Sequence, residues 1–208
     1  MIVVHHLNNS RSQRILWLME ELGLPYDIAF YQRDAVTRLA PDSLKAIHPL
    51  GKSPVITDNG RTVSESGAII DYVLDTYGQG RLRPKAGTDD YISYQEWLHF
   101  AEGSAMLPLL LAMYVSRLGE AAAPLAPRIS GEIANHLGYM DGHLAGRTAL
   151  VGDGLTGADI NNVFVLEAAA SAGRLKDYPN LSTYLASMQA RPAYKRALER
   201  GGVYALGT

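Results

Sequence analysis

The 208-residue chain contains no cysteine, and this absence limits its chemistry. Neither a disulfide framework nor a thiolate metal site can form, so any thiol in a reaction has to belong to a ligand. An excess of charge of one sign is also missing, since the formal net charge is only -2. A weakly charged chain has no electrostatic reason to bind nucleic acid or an anionic membrane, and we expect neither partner.

Long hydrophobic runs are scarce as well. The longest apolar stretch, Met106 to Val115, is interrupted by Pro108 and is too short for a helix that crosses a bilayer. The N-terminus shows neither the basic flank nor the long apolar region of a signal peptide. These features favour a cytoplasmic protein, and a hydrophobic content of 47% is enough for a large core.

The histidines do not predict a metal site. His136 and His143 are seven positions apart on a predicted helix, which separates them by about 10 Å along the axis. His5 and His6 are neighbours in a predicted strand and therefore point to opposite faces. Neither pair can share one ion, so we expect no metal.

Strand patterns occur only in the first third of the chain. They predict strands at Ile2–Leu7 and Tyr26–Tyr31, and a hairpin of Val55–Thr57 with Arg61–Val63 around the turn signal Asn59-Gly60. After about residue 86 the periodicity is helical. Gly and Pro residues between 78 and 87 mark the change, so we predict an α/β domain at 1–77, a linker at 78–87 and an all-helical domain at 88–208.

The helical domain is predicted to contain a long helix from about Asp89 to Leu118, a second from Leu125 to Ala145 and a buried third from Asp159 to Ala172. Thr156 stands three residues before Asp159, the spacing of a capping box, in which each side chain satisfies the backbone N–H of the other. We interpret this pair as structural, and we expect substitutions of Asp159 to impair folding rather than chemistry.

Residues 51–67 contain the most informative pattern. Pro54 stands where a strand begins, and Ser64 is predicted to open an apolar helix that has Glu65 and Ser66 in its first turn. This places a backbone edge beside a polar helix N-terminus. An extended peptide can pair with such an edge while its carboxylate rests on the free N–H groups of the helix.

Ser10 lies between the first strand and the first predicted helix, Arg14 to Tyr26. A hydroxyl at a helix start is close to the positive end of the helix dipole, which stabilises anions. Ser10 with Gln13 three residues later also fits a capping box, which needs no function. Both interpretations are open from the spacing alone.

Four motifs, which follow one another along the chain as in that family, resemble the glutathione transferases over nearly the whole chain. They are the Gly51–Gly67 segment, the strand, loop and helix of Ile2–Tyr26, the Thr156–Ile160 segment, and Tyr178–Leu181 followed by Arg191–Tyr194. The resemblance implies a thioredoxin-like N-terminal domain, an all-α C-terminal domain, glutathione as co-substrate and a homodimer. It is greatest to a serine-type branch of bacterial or fungal kind.

The resemblance implies that Ser10 is the catalytic hydroxyl, because serine-type members place it four residues before an arginine, here Arg14. Tyrosine-type members have their hydroxyl at the end of the first strand, where this chain has His5, His6 and Leu7. Asn9 and Ser12 stay open as alternatives, since some relatives use an amide or a neighbouring hydroxyl. One hydrogen bond and a helix terminus lower a thiol pKa from about 8.5 by about two units, which is sufficient without a base or metal.

The resemblance also implies how glutathione is held. Ser66 would bind the carboxylate of the γ-glutamyl group, Glu65 its ammonium group, and Lys52 the glycyl carboxylate, although Lys52 also fits a solvated surface position. A cis Pro54 would turn the backbone of Ser53 toward the cysteinyl unit. A second basic residue, usual about thirteen positions before Lys52, is replaced by Leu39, so Arg33 or Arg38 would have to compensate.

The helical domain would supply the remaining contacts. Relatives reach across the dimer to the γ-glutamyl group at the positions of Glu102 and Ser104. A hydrophobic electrophile would lie between the domains against apolar residues of the long helix: Met106, Leu109, Leu110, Met113 and Tyr114. The expected reaction adds the glutathione thiolate to that electrophile. Isomerisation, dehalogenation, peroxide reduction and a non-catalytic interaction protein are the alternatives.

Overall fold

The computed structural model describes residues 1 to 206 of the chain. Its contacts divide the chain into two compact units, one of Met1–Arg83 together with the segment from Met188 onward, and one of Pro84–Ser187. The first unit contains the sheet and the second is helical. The predicted fold class, a thioredoxin-like α/β domain with an all-α domain, is confirmed.

The sheet of the first unit has four strands in the order β2-β1-β3-β4: β1 (Ile2–Leu7), β2 (Tyr26–Tyr31), β3 (Val55–Asp58) and β4 (Arg61–Ser64). β1 is parallel to β2 and antiparallel to β3, and β3 is antiparallel to β4. Asn59 and Gly60 form the predicted turn, with φ of 47° and 79°. Two successive positive φ values suit a two-residue hairpin between twisted strands.

The first helix, α1 (Ser12–Leu22), differs from the predicted Arg14–Tyr26 at both ends. It ends at Gly23, whose left-handed φ of 64° lets its N–H bond the carbonyl of Glu20. Tyr26 therefore belongs to β2. A short helix, α2 (Asp42–Lys45), had no sequence signal strong enough to be predicted.

The helix after the hairpin, α3 (Ser66–Tyr77), begins later than predicted. Ser64 does not open it, because β4 continues to Ser64, which pairs with Val55 of β3. The reversal of the chain falls on Glu65, which adopts a φ of 69° and precedes the helix. This conformation is uncommon for a residue other than glycine and costs roughly 1 to 3 kcal/mol.

The last helix, α9 (Pro192–Gly201), belongs to the sheet unit, although the predicted helical domain extended to residue 208. Ion pairs attach it to α1. Arg191 bonds Glu21 with Nε at 2.6 Å from Oε1, while Arg196 and Arg200 lie at 2.9 and 3.1 Å from the carboxylate of Glu20. Contacts this distant in sequence have no local signal, so periodicity alone could not assign α9 to its unit.

The helical unit contains α4 (Asp89–Phe100), α5 (Met106–Val115), α6 (Ala126–His143) and α7 (Gly157–Ser171), and α8 (Pro179–Gln189) begins in it. The predicted long helix is continuous in sequence but changes geometry, since a π-helical turn, Ala101–Ala105, joins α4 to α5, and a 3₁₀ stretch, Ser116–Ala122, follows α5. The second and third predicted helices agree with α6 and α7 within two residues at each end.

The π turn is supported by two buried asparagines of α7. A change from i+4 to i+5 hydrogen bonding leaves a helix carbonyl without its usual partner. The Asn162 amide donates to the carbonyl of Trp97 at 2.7 Å, and the Asn161 amide donates to that of Leu98 at 2.8 Å. Both carbonyls lie in the last turn of α4, directly before the π segment.

The predicted capping box at the start of α7 is confirmed. The carboxylate of Asp159 is fully buried and accepts four hydrogen bonds, from the N–H of Leu150, the N–H and hydroxyl of Thr156, and the hydroxyl of Tyr184, all at 2.6 to 2.8 Å. Burial raises the pKa of Asp159, and these four donors oppose that shift. The residue therefore joins the loop before α7 to α8.

The segment Asp89–Ala122 has an 18-residue window with a mean hydropathy of 1.4, which by length and composition alone is enough to cross a membrane. This differs from the expectation that no stretch is long enough, because the helix extends beyond the apolar run Met106 to Val115. One such helix is weak evidence for a membrane span, since the core helix of a soluble protein meets the same criterion. A cytoplasmic location stays a prediction.

Candidate active site

The strand register brings three separate segments of the first unit to one end of the sheet. β1 ends at Leu7, just before the loop that contains Ser10. β3 begins after Pro54, and its first residue pairs with His5 of β1. That same residue pairs with the last residue of β4, which directly precedes Glu65. The loop, the Ser53-Pro54 dipeptide and the start of α3 therefore lie at the same end of the sheet.

A chain of hydrogen bonds joins the predicted catalytic residue to its surroundings. The Oγ atoms of Ser10 and Ser12 are 2.8 Å apart, and the Ser12 Oγ is 2.9 Å from Nδ1 of His6. On the other side, the Ser10 hydroxyl donates to the Ser53 Oγ at 3.3 Å, and the Ser53 hydroxyl donates to the carbonyl of His5 at 3.1 Å. Ser10 thus connects the loop after β1 with the Ser53-Pro54 segment before β3.

The inner end of this chain is the imidazole of His6, which is buried. Burial lowers the pKa of His6 to about 4, and a hydrogen bond to the backbone of Gly201 opposes that shift. The ring is therefore neutral at pH 7. Its Nδ1 lies 2.9 Å from the hydroxyl of Ser12.

Burial and capping geometry bear on the choice between Ser10 and Ser12. Ser12 has no exposed surface, whereas Ser10 is 5% exposed and follows Asn9, which is half-buried. The alternative capping box of Ser10 with Gln13 is not formed. Arg11 is the N-cap residue of α1 and makes no side-chain cap, and the Gln13 N–H bonds the Ser10 carbonyl rather than its hydroxyl.

Asn9, the second alternative, has a side chain engaged elsewhere. Its Oδ1 accepts a hydrogen bond from the N–H of Ala205 at 2.7 Å. Arg33, proposed as a compensating basic residue, also bonds this loop: its Nε donates to the Asn8 carbonyl at 3.2 Å and one terminal nitrogen to the Asn9 carbonyl at 3.5 Å. Arg38 is exposed.

The residues predicted to hold glutathione have varied surroundings. The Ser53-Pro54 peptide is cis, as expected. Lys52 and Glu65 are exposed, Ser53 is half-buried, and Ser66 is buried as the first residue of α3. The first N–H groups of α3, a helix of twelve residues, have no partner within the helix, as at any helix N-terminus. They lie at the same end of the sheet as Ser53.

In the helical unit, Glu102 and Ser104 belong to the π turn and are half-buried. Four of the predicted electrophile-binding residues share one face of α5, at spacings of four, three and one: Met106, Leu110, Met113 and Tyr114. Met106 is buried, while Met113 and Tyr114 are 49% and 56% exposed. An exposed apolar face of this kind is available to a hydrophobic ligand or to another protein surface.

Comparison with known families decides the identity of this arrangement. The model of the glutathione S-transferase N-terminal domain matches residues 1–75, and that of the C-terminal domain matches residues 104–192. The chain belongs to the glutathione S-transferase family. It is 35% identical to glutathione S-transferase 3 of Schizosaccharomyces pombe over 96% of this chain and 88% of that protein. It is 33% identical to glutathione S-transferase 1 of Saccharomyces cerevisiae over 96% of this chain and 94% of that protein.

Solved structures agree with this assignment. A glutathione S-transferase of Actinobacillus pleuropneumoniae superposes on this chain with a TM-score of 0.92 and 36% identity, over 99% of this chain and 95% of that one. A sphingomonad transferase solved with glutathione has a TM-score of 0.79 and 25% identity, over 97% of this chain and 99% of that one. Probable elongation factor 1-gamma 2 of Arabidopsis thaliana is 26% identical over 95% of this chain but only 49% of its own length.

The transferase is therefore an enzyme of a family whose co-substrate is glutathione. Within residues 1 to 206, no group of three or more His, Asp or Glu side chains is placed to hold a metal ion. Sequence reasoning missed the contacts of His6, which it considered as a metal ligand and as one of the residues at the position of the tyrosine-type hydroxyl. The adjacent Asn161 and Asn162 inside an apolar helix were a detectable signal, because buried amides require partners.

Proposed function

We propose that this transferase adds the glutathione thiolate to hydrophobic electrophiles and that Ser10 supplies the hydroxyl that activates the thiol. The observation that supports this best is the hydrogen-bonded chain His6, Ser12, Ser10, Ser53, which ends at the residue before Pro54. The fully buried Ser12 hydroxyl has partners inside the unit, Nδ1 of His6 at 2.9 Å and the carbonyl of Leu7 at 3.4 Å. The Ser10 hydroxyl donates to the half-buried Ser53 instead, so its proton is the one that a ligand at this end of the sheet can redirect.

Binding of glutathione would redirect this proton. A thiolate is an anionic acceptor, and a charge-assisted hydrogen bond is roughly twice as strong as a neutral one. The Ser10 O–H therefore turns from the neutral oxygen of Ser53 to the sulfur, while Ser10 Oγ still accepts from the N–H of Ser12. The thiol proton leaves to solvent, and the sulfur forms a bond to the electrophilic carbon. No general base is required.

The remaining contacts would hold the tripeptide in place. The N-terminal N–H groups of α3 and the hydroxyl of Ser66 suit the γ-glutamyl carboxylate, because a helix N-terminus stabilises anions. Glu65 would pair with the ammonium group, Ser53 with the cysteinyl backbone and Lys52 with the glycyl carboxylate. Glu102 and Ser104 would contribute from a partner subunit.

Ser66→Ala should weaken glutathione binding roughly 10- to 150-fold, because a hydrogen bond to a charged group contributes about 1.5 to 3 kcal/mol. Titration calorimetry measures this change. Ser43→Ala is a matched control, since Ser43 is an exposed serine of the short helix α2 in the same unit. Unchanged affinity in a folded Ser66→Ala protein would remove Ser66 from the site.

A panel of chloronitrobenzenes, isothiocyanates, epoxides and hydroperoxides tests the reaction class. Conjugation of glutathione to a carbon electrophile is the expected result, with the apolar face of α5 binding the electrophile through Met106, Leu109, Leu110, Met113 and Tyr114. Isomerase, dehalogenase or peroxidase activity would show as turnover of the corresponding substrate alone. The likeness to elongation factor 1-gamma favours one further alternative, a non-catalytic interaction protein. Such a protein would turn over none of the substrates in the panel, whether or not it bound to glutathione resin.

We propose a cytoplasmic two-fold homodimer, because family dimers use the helix after the hairpin and the long helix. Exposed apolar side chains, such as Ile92 of α4 and Leu107 of α5, would be covered there. Light scattering at micromolar concentration should give a mass about twice the 22.6 kDa of one chain. A single 22.6 kDa species would contradict the dimer.

A further inference from the structure

We propose that Asn9 is a positioning residue: it attaches the C-terminal segment Gly201–Ala205, at Ala205, to the loop that presents Ser10, and thereby sets the position of the Ser10 hydroxyl. The proposal rests on the function assigned to Ser10 above. It assigns a task to the end of the chain, and it distinguishes Asn9 from a direct donor to the sulfur.

The contact itself is short and connects distant parts of the chain. The N–H of Ala205 donates to Oδ1 of Asn9 at 2.7 Å. Asn9 has a φ of 49°, a left-handed conformation that asparagine tolerates better than most residues. Its carbonyl accepts from Arg33. Asn9 is therefore held on its side chain and on its backbone, directly before Ser10.

A second contact reaches Ser10 from the same segment. The Gly201 backbone acts on the pKa of the His6 ring, opposing the effect of burial, and Nδ1 of this ring lies 2.9 Å from Oγ of Ser12, which is 2.8 Å from that of Ser10. Gly201 is packed too closely for a side chain. A Cβ there would lie 2.6 Å from Oε1 of Gln13 and 2.8 Å from Cδ1 of Leu16. The end of α9 thus approaches the inner end of the hydroxyl chain.

Of the three residues between these two contacts, Tyr204 is the buried one. Tyr204 is 6% exposed, whereas Val203 before it is 88% exposed. The buried ring directly precedes Ala205, whose N–H meets Asn9. The Ser10 loop is consequently bounded by Ser53 on one side and by the C-terminal segment on the other.

This arrangement affects the reaction because a hydrogen bond weakens steeply with distance and angle. A loop that has lost its contact with Ala205 samples more orientations, and the Ser10 hydroxyl then donates to the sulfur less often. Glutathione contacts at Lys52 and Ser66 come from other segments and are unaffected. The expected signature is a change in thiol ionisation and kcat with little change in the KM for glutathione.

The first variant is Asn9→Gly, which removes the carboxamide and keeps a residue that tolerates positive φ. Asn59→Gly is a matched control, because Asn59 is exposed and has nearly the same φ, 47°, in the hairpin turn. We expect Asn9→Gly to raise the pKa of the bound thiol by about half a unit to one unit, so that kcat at pH 6.5 falls roughly two- to fivefold. Asn59→Gly should leave both unchanged.

The second variant is Ala205→Pro, which removes the N–H and leaves Asn9 intact. The same increase of the thiol pKa is expected. A thiol pKa that increases in Asn9→Gly but not in folded Ala205→Pro would mean that Asn9 donates to the sulfur itself, and would overturn the proposal. A lower melting temperature with unchanged thiol ionisation in both variants would reduce the contact to a structural one.

Double variants separate this proposal from the function of Ser10. If the segment acts through Ser10, Ala205→Pro has no further effect on the thiol pKa in a Ser10→Ala background. An equal effect in both backgrounds would overturn the inference and leave the function of Ser10 standing. If Ser10→Ala alone does not change thiol ionisation, the function assigned to Ser10 fails, and the inference fails with it.

Discussion

Ser10→Ala is expected to raise the pKa of the bound glutathione thiol by more than about one unit. A hydrogen bond to a thiolate contributes about 1.5 to 3 kcal/mol, and about 1.4 kcal/mol corresponds to one pKa unit. Ser12 cannot replace it, because Ser12 is fully buried and its hydroxyl is bonded to Nδ1 of His6 and to the carbonyl of Leu7. The thiolate absorbance, measured as a function of pH in the complex, gives this value directly.

Turnover of Ser10→Ala should depend on pH more steeply than that of the unmodified protein. At pH 6.5 most of the thiol would be protonated in the variant, so kcat/KM should fall about fivefold or more. At pH 9 the thiolate forms by mass action, and most of the activity should return. Ser43→Ala, with its exposed hydroxyl, is the control. If the melting temperature of Ser10→Ala falls while the bound glutathione thiol titrates as before, Ser10 is structural. Asn9 is then the next candidate for the group that activates the thiol.

Asp159→Ala should cause the largest loss of stability, about 3 to 5 kcal/mol. It leaves the buried N–H groups of Leu150 and Thr156 and the hydroxyl of Tyr184 without their acceptor, and each unsatisfied buried group costs about 1 to 3 kcal/mol. Folded domains have only about 5 to 15 kcal/mol in total, so low yield of soluble protein is expected. Urea unfolding measures the loss in whatever fraction folds.

Asp153→Ala is the matched control, since Asp153 is an exposed acid in the loop before the same helix. Its effect on the free energy of unfolding should stay within about 0.5 kcal/mol. A stable Asp159→Ala protein that has lost turnover would contradict the structural interpretation and would place Asp159 in the chemistry instead.

Local patterns were sufficient for most elements of the fold. The strands Ile2–Leu7 and Tyr26–Tyr31 and the hairpin around Asn59-Gly60 were predicted because alternation and turn chemistry act over a few residues. The capping box of Thr156 and Asp159 was predicted for the same reason. The boundary at Ser64 was wrong, because strand pairing with Val55 prevailed over the capping preference of serine.

The candidate site was predicted only in part. Ser10, Ser53 and Ser66 were named from motif resemblance, and their places at one end of the sheet follow from strand register. The hydrogen bonds from His6 through Ser12 to Ser10 had no signal in the sequence. They depend on which face of β1 meets α1 and on the packing of α9 against the same unit. Glu102 and Ser104 were named without any indication that they lie in a π turn supported by Asn161 and Asn162.

The sequence by itself determined the absence of a protein thiol, the α/β and helical halves, the positions of most strands and helices, and membership in a recognisable family, because composition and short-range periodicity are properties of the chain. Only the tertiary structure decided that α9 belongs to the sheet unit, that Ser12 is buried against His6 and that Ala205 meets Asn9. Those contacts join residues far apart in sequence, and burial and packing select them only when the whole unit has formed.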